Sequence, residues 1–312
     1  MSNGSTPPTT SRLRGTVVAL IALALACGAG WLVWSTVGDH GGRDDDGARP
    51  AVSHGATAPE DADGSNNSDD SDDSSNPDDS DNSDASGKGS LKGKVIVIDP
   101  GHNPRNREHT AKIARLVDIG TNKKECDTTG AATNSGYAEA SFTLDVSRRV
   151  REILQTRGAK VTFTQDDDRP YGPCVDERAE IGNRAHADAA VSVHADGSGT
   201  GNRGFHVIAP ASVRGGEADT SAIVAPSHTL ARHLVREFGE ATGTEPANYL
   251  GGGTGLTVRD DLGGLNLSTI PKVFIECGNM RDPKDAKLIT DAAWRQRAAQ
   301  GIAQGITDFL RG

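Results

Sequence analysis

The chain has 312 residues and a formal net charge of −10, but eleven Asp or Glu and no Lys or Arg fall between Glu60 and Asp84, leaving the remainder near +1. The acidity therefore says nothing about what the rest of the chain binds, and nothing in the composition points to a nucleic-acid partner. A stretch of like charge among Ser, Asn and Gly has too little apolar surface to offset chain entropy, so it is expected to be disordered.

In chain order, residues 1–15 read as a short cytoplasmic tail carrying Arg12 and Arg14. Val17 to Trp34 is apolar apart from glycines and Cys27, and its eighteen residues are just enough to span a bilayer as a helix. The basic residues before it place that end in the cytoplasm. Residues 16–36 are thus expected to form a transmembrane signal anchor, with Trp31 and Trp34 at the outer interface. A signal peptide cleaved after Ala24-Leu25-Ala26, or a lipoprotein built on Cys27, would serve the same end. Each of the three exports the C-terminal part, so a single-pass membrane protein with its folded domain on the extracytoplasmic side is expected. Residues 37–91 form a flexible acidic linker extended by self-repulsion. No internal repeat is visible.

Residues 92–312 carry the folded domain. Lys94 to Ile98 is a β-branched strand meeting a turn at Asp99-Pro100-Gly101. Ala138 to Arg157 has helical spacing, with Phe142, Val146, Val150, Ile153 and Leu154 on one face, and stops at Gly158. Strand Val161–Thr164, helix Val175–Ala187, strand Ala189–Val193, strand Phe205–Ala209 and helix Ser227–Thr242 follow. Short strands are expected at Leu256–Val258 and Lys272–Ile275, and a last helical region from Asp282-Pro283 to Leu310. Alternating strands and helices predict a single α/β domain, a mostly parallel twisted sheet flanked by helices. Of the exported cysteines, Cys126 and Cys174 sit in polar loops with Gly and Pro, whereas Cys277 ends an apolar run. The loop pair is the expected disulfide.

Ligands in such folds bind beyond the carboxyl ends of the strands. Three predicted strands end in polar residues, contributing His102, His194 and Glu276, and Glu139 starts the first helix. Two imidazoles and one carboxylate with an open fourth position form the ligand set of catalytic zinc. A second, unligated Glu would serve as general base and acid. Which carboxylate binds metal is left open by the residues alone. His109, His186, His206, His228 and His233 are equally available, and His206, on a strand soon after His194, is the best substitute ligand.

The order of Val97-Ile98-Asp99-Pro100-Gly101-His102, Glu139-Ala140-Ser141-Phe142-Thr143-Leu144, Arg178 to Asn183, Val191 to Asp196, Gly204 to Val207 and Val273 to Glu276 resembles the N-acetylmuramoyl-L-alanine amidase 3 family. Gly172 to Ala179 and Asp261 to Asn266 are similar to short mycobacterial and related actinobacterial members. The resemblance spans Lys94 to Leu310 and none of the first ninety residues. It implies one zinc held by His102, Glu139 and His194, with Glu276 as the catalytic carboxylate. It also implies hydrolysis of the bond between N-acetylmuramic acid and L-alanine in peptidoglycan or muropeptides. Arg259, Asp260 and Asn266 are candidates for substrate contact. Two positions depart from the family pattern: Asn103-Pro104-Arg105-Asn106 replaces glycines after the first His, and Asn279 replaces an aromatic. An inactive peptidoglycan-binding regulator would have lost a ligand or Glu276, and all four are filled here. A zinc peptidase cutting within the stem peptide is the other alternative. The catalytic domain is expected to be monomeric.

Overall fold

Alternation of side chains across the sheet decides which face becomes core and which becomes site. The computed structural model describes residues 90–312, so the predicted tail, anchor and nearly all of the linker lie outside the described residues. Among the described residues, no helix is long and apolar enough to cross a membrane. The main elements are β1 (Val95–Pro100), α1 (Glu139–Thr156), β2 (Lys160–Phe163), α2 (Val175–Arg184), β3 (Ala189–Asp196), β4 (His206–Pro210), α3 (Val224–Thr242), β5 (Leu256–Arg259), β6 (Lys272–Asn279), α4 (Pro283–Thr290) and α5 (Ala292–Arg311).

The six strands form one sheet in the order β2-β1-β3-β6-β4-β5. Strands β2, β1, β3 and β6 run parallel, and β4 pairs with β6 antiparallel. The sheet is therefore mixed, with a parallel majority. On one face, Ile96, Ile98, Val191, Val193, Val207, Val273 and Ile275 meet Phe142, Val146 and Val150 of α1, Leu230, Leu234 and Phe238 of α3, and Trp294, Ile302 and Ile306 of α5. Each such side chain contributes about 1.5–3 kcal/mol on burial. The other face holds only a small apolar cluster around Val97, Ala187, Ala190 and Ile270. Further along the same strands it turns polar, through Asp99, Ser192, His194 and Glu276. Because β1, β3 and β6 are parallel and adjacent, their carboxyl ends bring these residues to one place.

Two expectations on elements change. The last helical region is two helices broken at Asp291, whose extended backbone lets its carboxylate accept from the Trp294 amide at 2.6 Å and cap α5. Strand β6 continues to Asn279, which pairs with Asp196 across an irregularity in register.

Cys126 and Cys174 are bonded to one another, and Cys277 is buried and free. The bridge packs with Val117, Ile119 and Val175 in a small cluster of its own. It ties the start of α2 to the long segment after β1, which includes a two-stranded ribbon, Leu116–Asp118 with Lys123–Glu125. A bridge spanning 48 residues restricts the unfolded chain by about 4 kcal/mol at most. The Cys126→Ala/Cys174→Ala double variant should lose stability of that order in urea unfolding. A loss below about 1 kcal/mol would contradict the chain-entropy account.

Candidate metal centre

His102 lies just beyond β1, His194 near the end of β3, and Glu139 is the first residue of α1. Glu139 Oε1 sits between the two imidazoles, 3.1 Å from His102 Nε2 and 3.0 Å from His194 Nδ1. One ligand atom from each of the three lies within 4.8 Å of the others, the single such cluster found among the described residues. Tetrahedral bonds of roughly 2.0–2.1 Å put neighbouring ligand atoms about 3.4 Å apart, so the donor set fits a divalent ion with little movement. The other Glu139 oxygen accepts from the Ala131 amide at 2.6 Å, fixing the carboxylate plane.

Close packing surrounds the cluster. A Cβ on Gly101 would come within 2.3 Å of the His194 ring, and one on Gly130 within 2.7 Å of the His102 ring. His102 itself has φ 62°, a left-handed conformation that costs a non-glycine residue about 1–3 kcal/mol. Its carbonyl oxygen holds that conformation by accepting from Arg178 Nη2 at 3.0 Å and Gln165 Nε2 at 3.1 Å.

Electrostatics divide the two glutamates. Burial disfavours charge on Glu139, but His102 and His194 outweigh it and hold the carboxyl well below the usual range. Burial likewise opposes charge on His102, yet Glu139 and Asp127 raise the imidazole to about 10. Glu276 has the opposite shift: burial, then the charges of Glu139 and Asp196, push it well above the carboxylate range. Its Oε2 is closed off from solvent with no hydrogen-bond partner. Glu276 lines a cavity of about 290 Å³ together with His102, Glu139, His194, Asp196 and Arg259. The ligand set and a free carboxyl thus share one chamber.

Beneath the site lies a buried array of charge. Arg178 Nη1 donates to Asp99 Oδ1 at 2.6 Å, and its Nη2 to Asp127 Oδ2 at 2.9 Å. Lys272 Nζ reaches Asp99 Oδ2 at 3.3 Å, and Thr164 and Ser192 donate to the same carboxylate at 2.6 and 2.7 Å. Two cations meet two anions, so the array is neutral as a whole.

The remaining predicted residues scatter. Arg259 faces the cavity, and its guanidinium is held by Asp261 at 2.7 Å. Lys124 of the ribbon reaches that Asp261 at 3.2 Å, closing a second cavity of about 370 Å³ that also opens on His102 and His194. Asp260 is exposed. Asn266 is a correction: it is fully buried, and its amide donates to the carbonyl of Asp260 at 2.7 Å and of Ile119 at 3.4 Å, which makes it a loop staple. His206 lies outside the ligand cluster, edge-on to Tyr249, and burial lowers it to about 4. The departures from the family pattern are pins as well. Asn103 and Asn106 hold the backbone of Gly172 and Thr128, and the Asn279 amide donates to Ser198, Gly199 and Asn202 carbonyls.

The sequence profile described as N-acetylmuramoyl-L-alanine amidase matches residues 96–308, a span that takes in all four site residues. The chain belongs to this amidase family. It is 40% identical over 223 residues to the N-acetylmuramoyl-L-alanine amidase Rv3717 of Mycobacterium tuberculosis, covering 71% of this chain and 88% of that protein. Its fold is similar to the amidase Ami1 of Mycobacterium smegmatis, with TM-score 0.66, 38% identity and coverage of 71% and 99% of the two chains. Ami1 of Mycobacterium abscessus gives 0.65, 38%, 70% and 100% for the same quantities.

Asp127, Arg178 and Lys272 had no assigned role in the sequence, where each passes for an ordinary loop, helix or strand-edge charge. Their coupling sets the acid response. Arg178 and His102 outweigh burial and lower Asp127 from 3.8 to about 2, and Lys272 and Arg178 lower Asp99 further. These carboxylates bind fewer protons folded than unfolded, so their stabilisation is full above about pH 4 and drains away as pH falls toward 2. Urea midpoints from pH 6 to 2 should show that decline. Asp99→Asn should cost about 3–5 kcal/mol at pH 7, because two buried cations then face a neutral amide. A cost below 1 kcal/mol would refute the coupling.

Proposed function

We propose that the chain cleaves the amide between N-acetylmuramic acid and L-alanine in peptidoglycan, using one zinc ion held by His102, Glu139 and His194 and acid–base catalysis by Glu276. The observation that carries this reading is the free Glu276 carboxyl in the same chamber as a His-Glu-His cluster, in a chain of an amidase family.

Zinc, when bound, supplies a water acidified to a pKa of roughly 7 and a polarised scissile carbonyl. Glu276 does the proton work. Its carboxyl lines the chamber and has no protein hydrogen bond to give up, so it accepts a proton from the attacking water and returns it to the departing alanine nitrogen. Burial and the neighbouring carboxylates raise its affinity for a proton, which suits its second role, as the acid that protonates the departing nitrogen. Glu139, by contrast, stays ionised between two imidazoles and keeps both oxygens occupied. Arg259, the one Lys or Arg lining this chamber among the described residues, is placed to hold an acidic or carbonyl group of the substrate.

The predicted anchor over 16–36 and linker over 37–91 would hold this domain in reach of the cell wall, on the extracytoplasmic side. The test of the chemistry separates metal from base. Glu276→Gln should keep one equivalent of zinc while sacculus digestion falls by at least about 10²-fold. Loss of zinc together with activity would make Glu276 a ligand; retention of both would move the base elsewhere.

A further inference from the structure

We propose that Asp127 is a positioning residue for His102, holding the imidazole so that Nε2 faces the metal position. The inference rests on the zinc reading above. His102 Nδ1 lies 3.3 Å from Asp127 Oδ1 and 3.2 Å from both the carbonyl and the hydroxyl oxygen of Thr128. Acceptors crowded at Nδ1 hold a proton on that nitrogen, so Nε2, on the side of Glu139, is the nitrogen that would be deprotonated to take a metal ion.

Asp127 is itself held from three directions. Its Oδ2 accepts from Arg178 Nη2 at 2.9 Å, and that same nitrogen donates to the His102 carbonyl at 3.0 Å. One guanidinium therefore fixes both the backbone of the ligand and the carboxylate that orients its ring. The neighbouring Cys126 is bonded to Cys174, which directly precedes α2, the helix that carries Arg178. Cys126 also accepts from the Val175 amide at 2.8 Å, and the Thr128 carbonyl accepts from Asn106 at 2.7 Å. Asp127 is 6% exposed, so little solvent competes for its oxygens. The disulfide, the arginine and the aspartate close a ring around one metal ligand. Among the described residues, no other charged group contacts His102 Nδ1.

Zinc dissociation constants from chelator competition, measured on the full chain, test this. The wild type should bind one equivalent, and Asp127→Ala should bind about 10–100-fold more weakly. Asp127→Asn keeps an acceptor and should weaken binding by less, about 3–10-fold. Thr307→Val removes a buried hydrogen bond from Arg157, in the helix-covered core and outside the Arg178 array, and should lower stability without moving zinc affinity. Circular dichroism confirms folding of each variant, and if Asp127→Ala does not fold, Asp127→Asn decides. Affinity within threefold of wild type in the folded variants, or an equal loss in Thr307→Val, would overturn the assignment. A wild type that binds no zinc would instead sink the metal reading itself.

Discussion

Arg178 is the contact on which the site depends. Its guanidinium is buried between Asp99 and Asp127, and it also donates to the carbonyls of Pro100 and His102. Moving such a charge out of water is expensive, and only full pairing offsets the cost. Full pairing is what the surroundings give it. The consequence is geometric: the turn after β1 is held in a left-handed conformation that a histidine would otherwise avoid. From that turn His102 reaches Glu139, and through Glu139 it reaches His194.

The sheet does the rest by parity. Strands β1, β3 and β6 send one set of side chains into the helix-covered core and the alternate set to the thinly covered face. At the carboxyl ends that second set is Asp99, His194 and Glu276. Stability and chemistry thus use opposite faces of the same strands. Glu276 can be left without a hydrogen-bond partner because the helices on the other face, not this carboxylate, hold β6 in place.

Much of this was legible in the sequence, and the reasons for the gaps are physical. Helix α1 could be read from its apolar spacing, and the ends of β1, β3 and β6 from apolar runs stopping at polar residues. The Cys126–Cys174 bridge followed from loop character. Strand direction did not: a short run such as Val207 to Ala209 has no signature of orientation, so the antiparallel β4 was invisible. The break at Asp291 had a signal, an N-cap residue three before Trp294, but the apolar spacing runs across it. Asn266 looked like a rim residue because a polar side chain in a loop does not reveal that it turns inward to backbone carbonyls. Asp127 and Arg178 were hidden for a related reason. Their partners are distant in sequence, and a charged residue reads as solvated until the fold shows what it faces.

The most direct test is product analysis: purified sacculi digested by the full chain, with and without a zinc chelator, and the fragments identified by mass. The account predicts intact stem peptides starting at L-alanine, glycan ending in free lactyl groups, and release that stops with chelator and returns with zinc. Cut stem peptides, or release that a chelator leaves untouched, would contradict it.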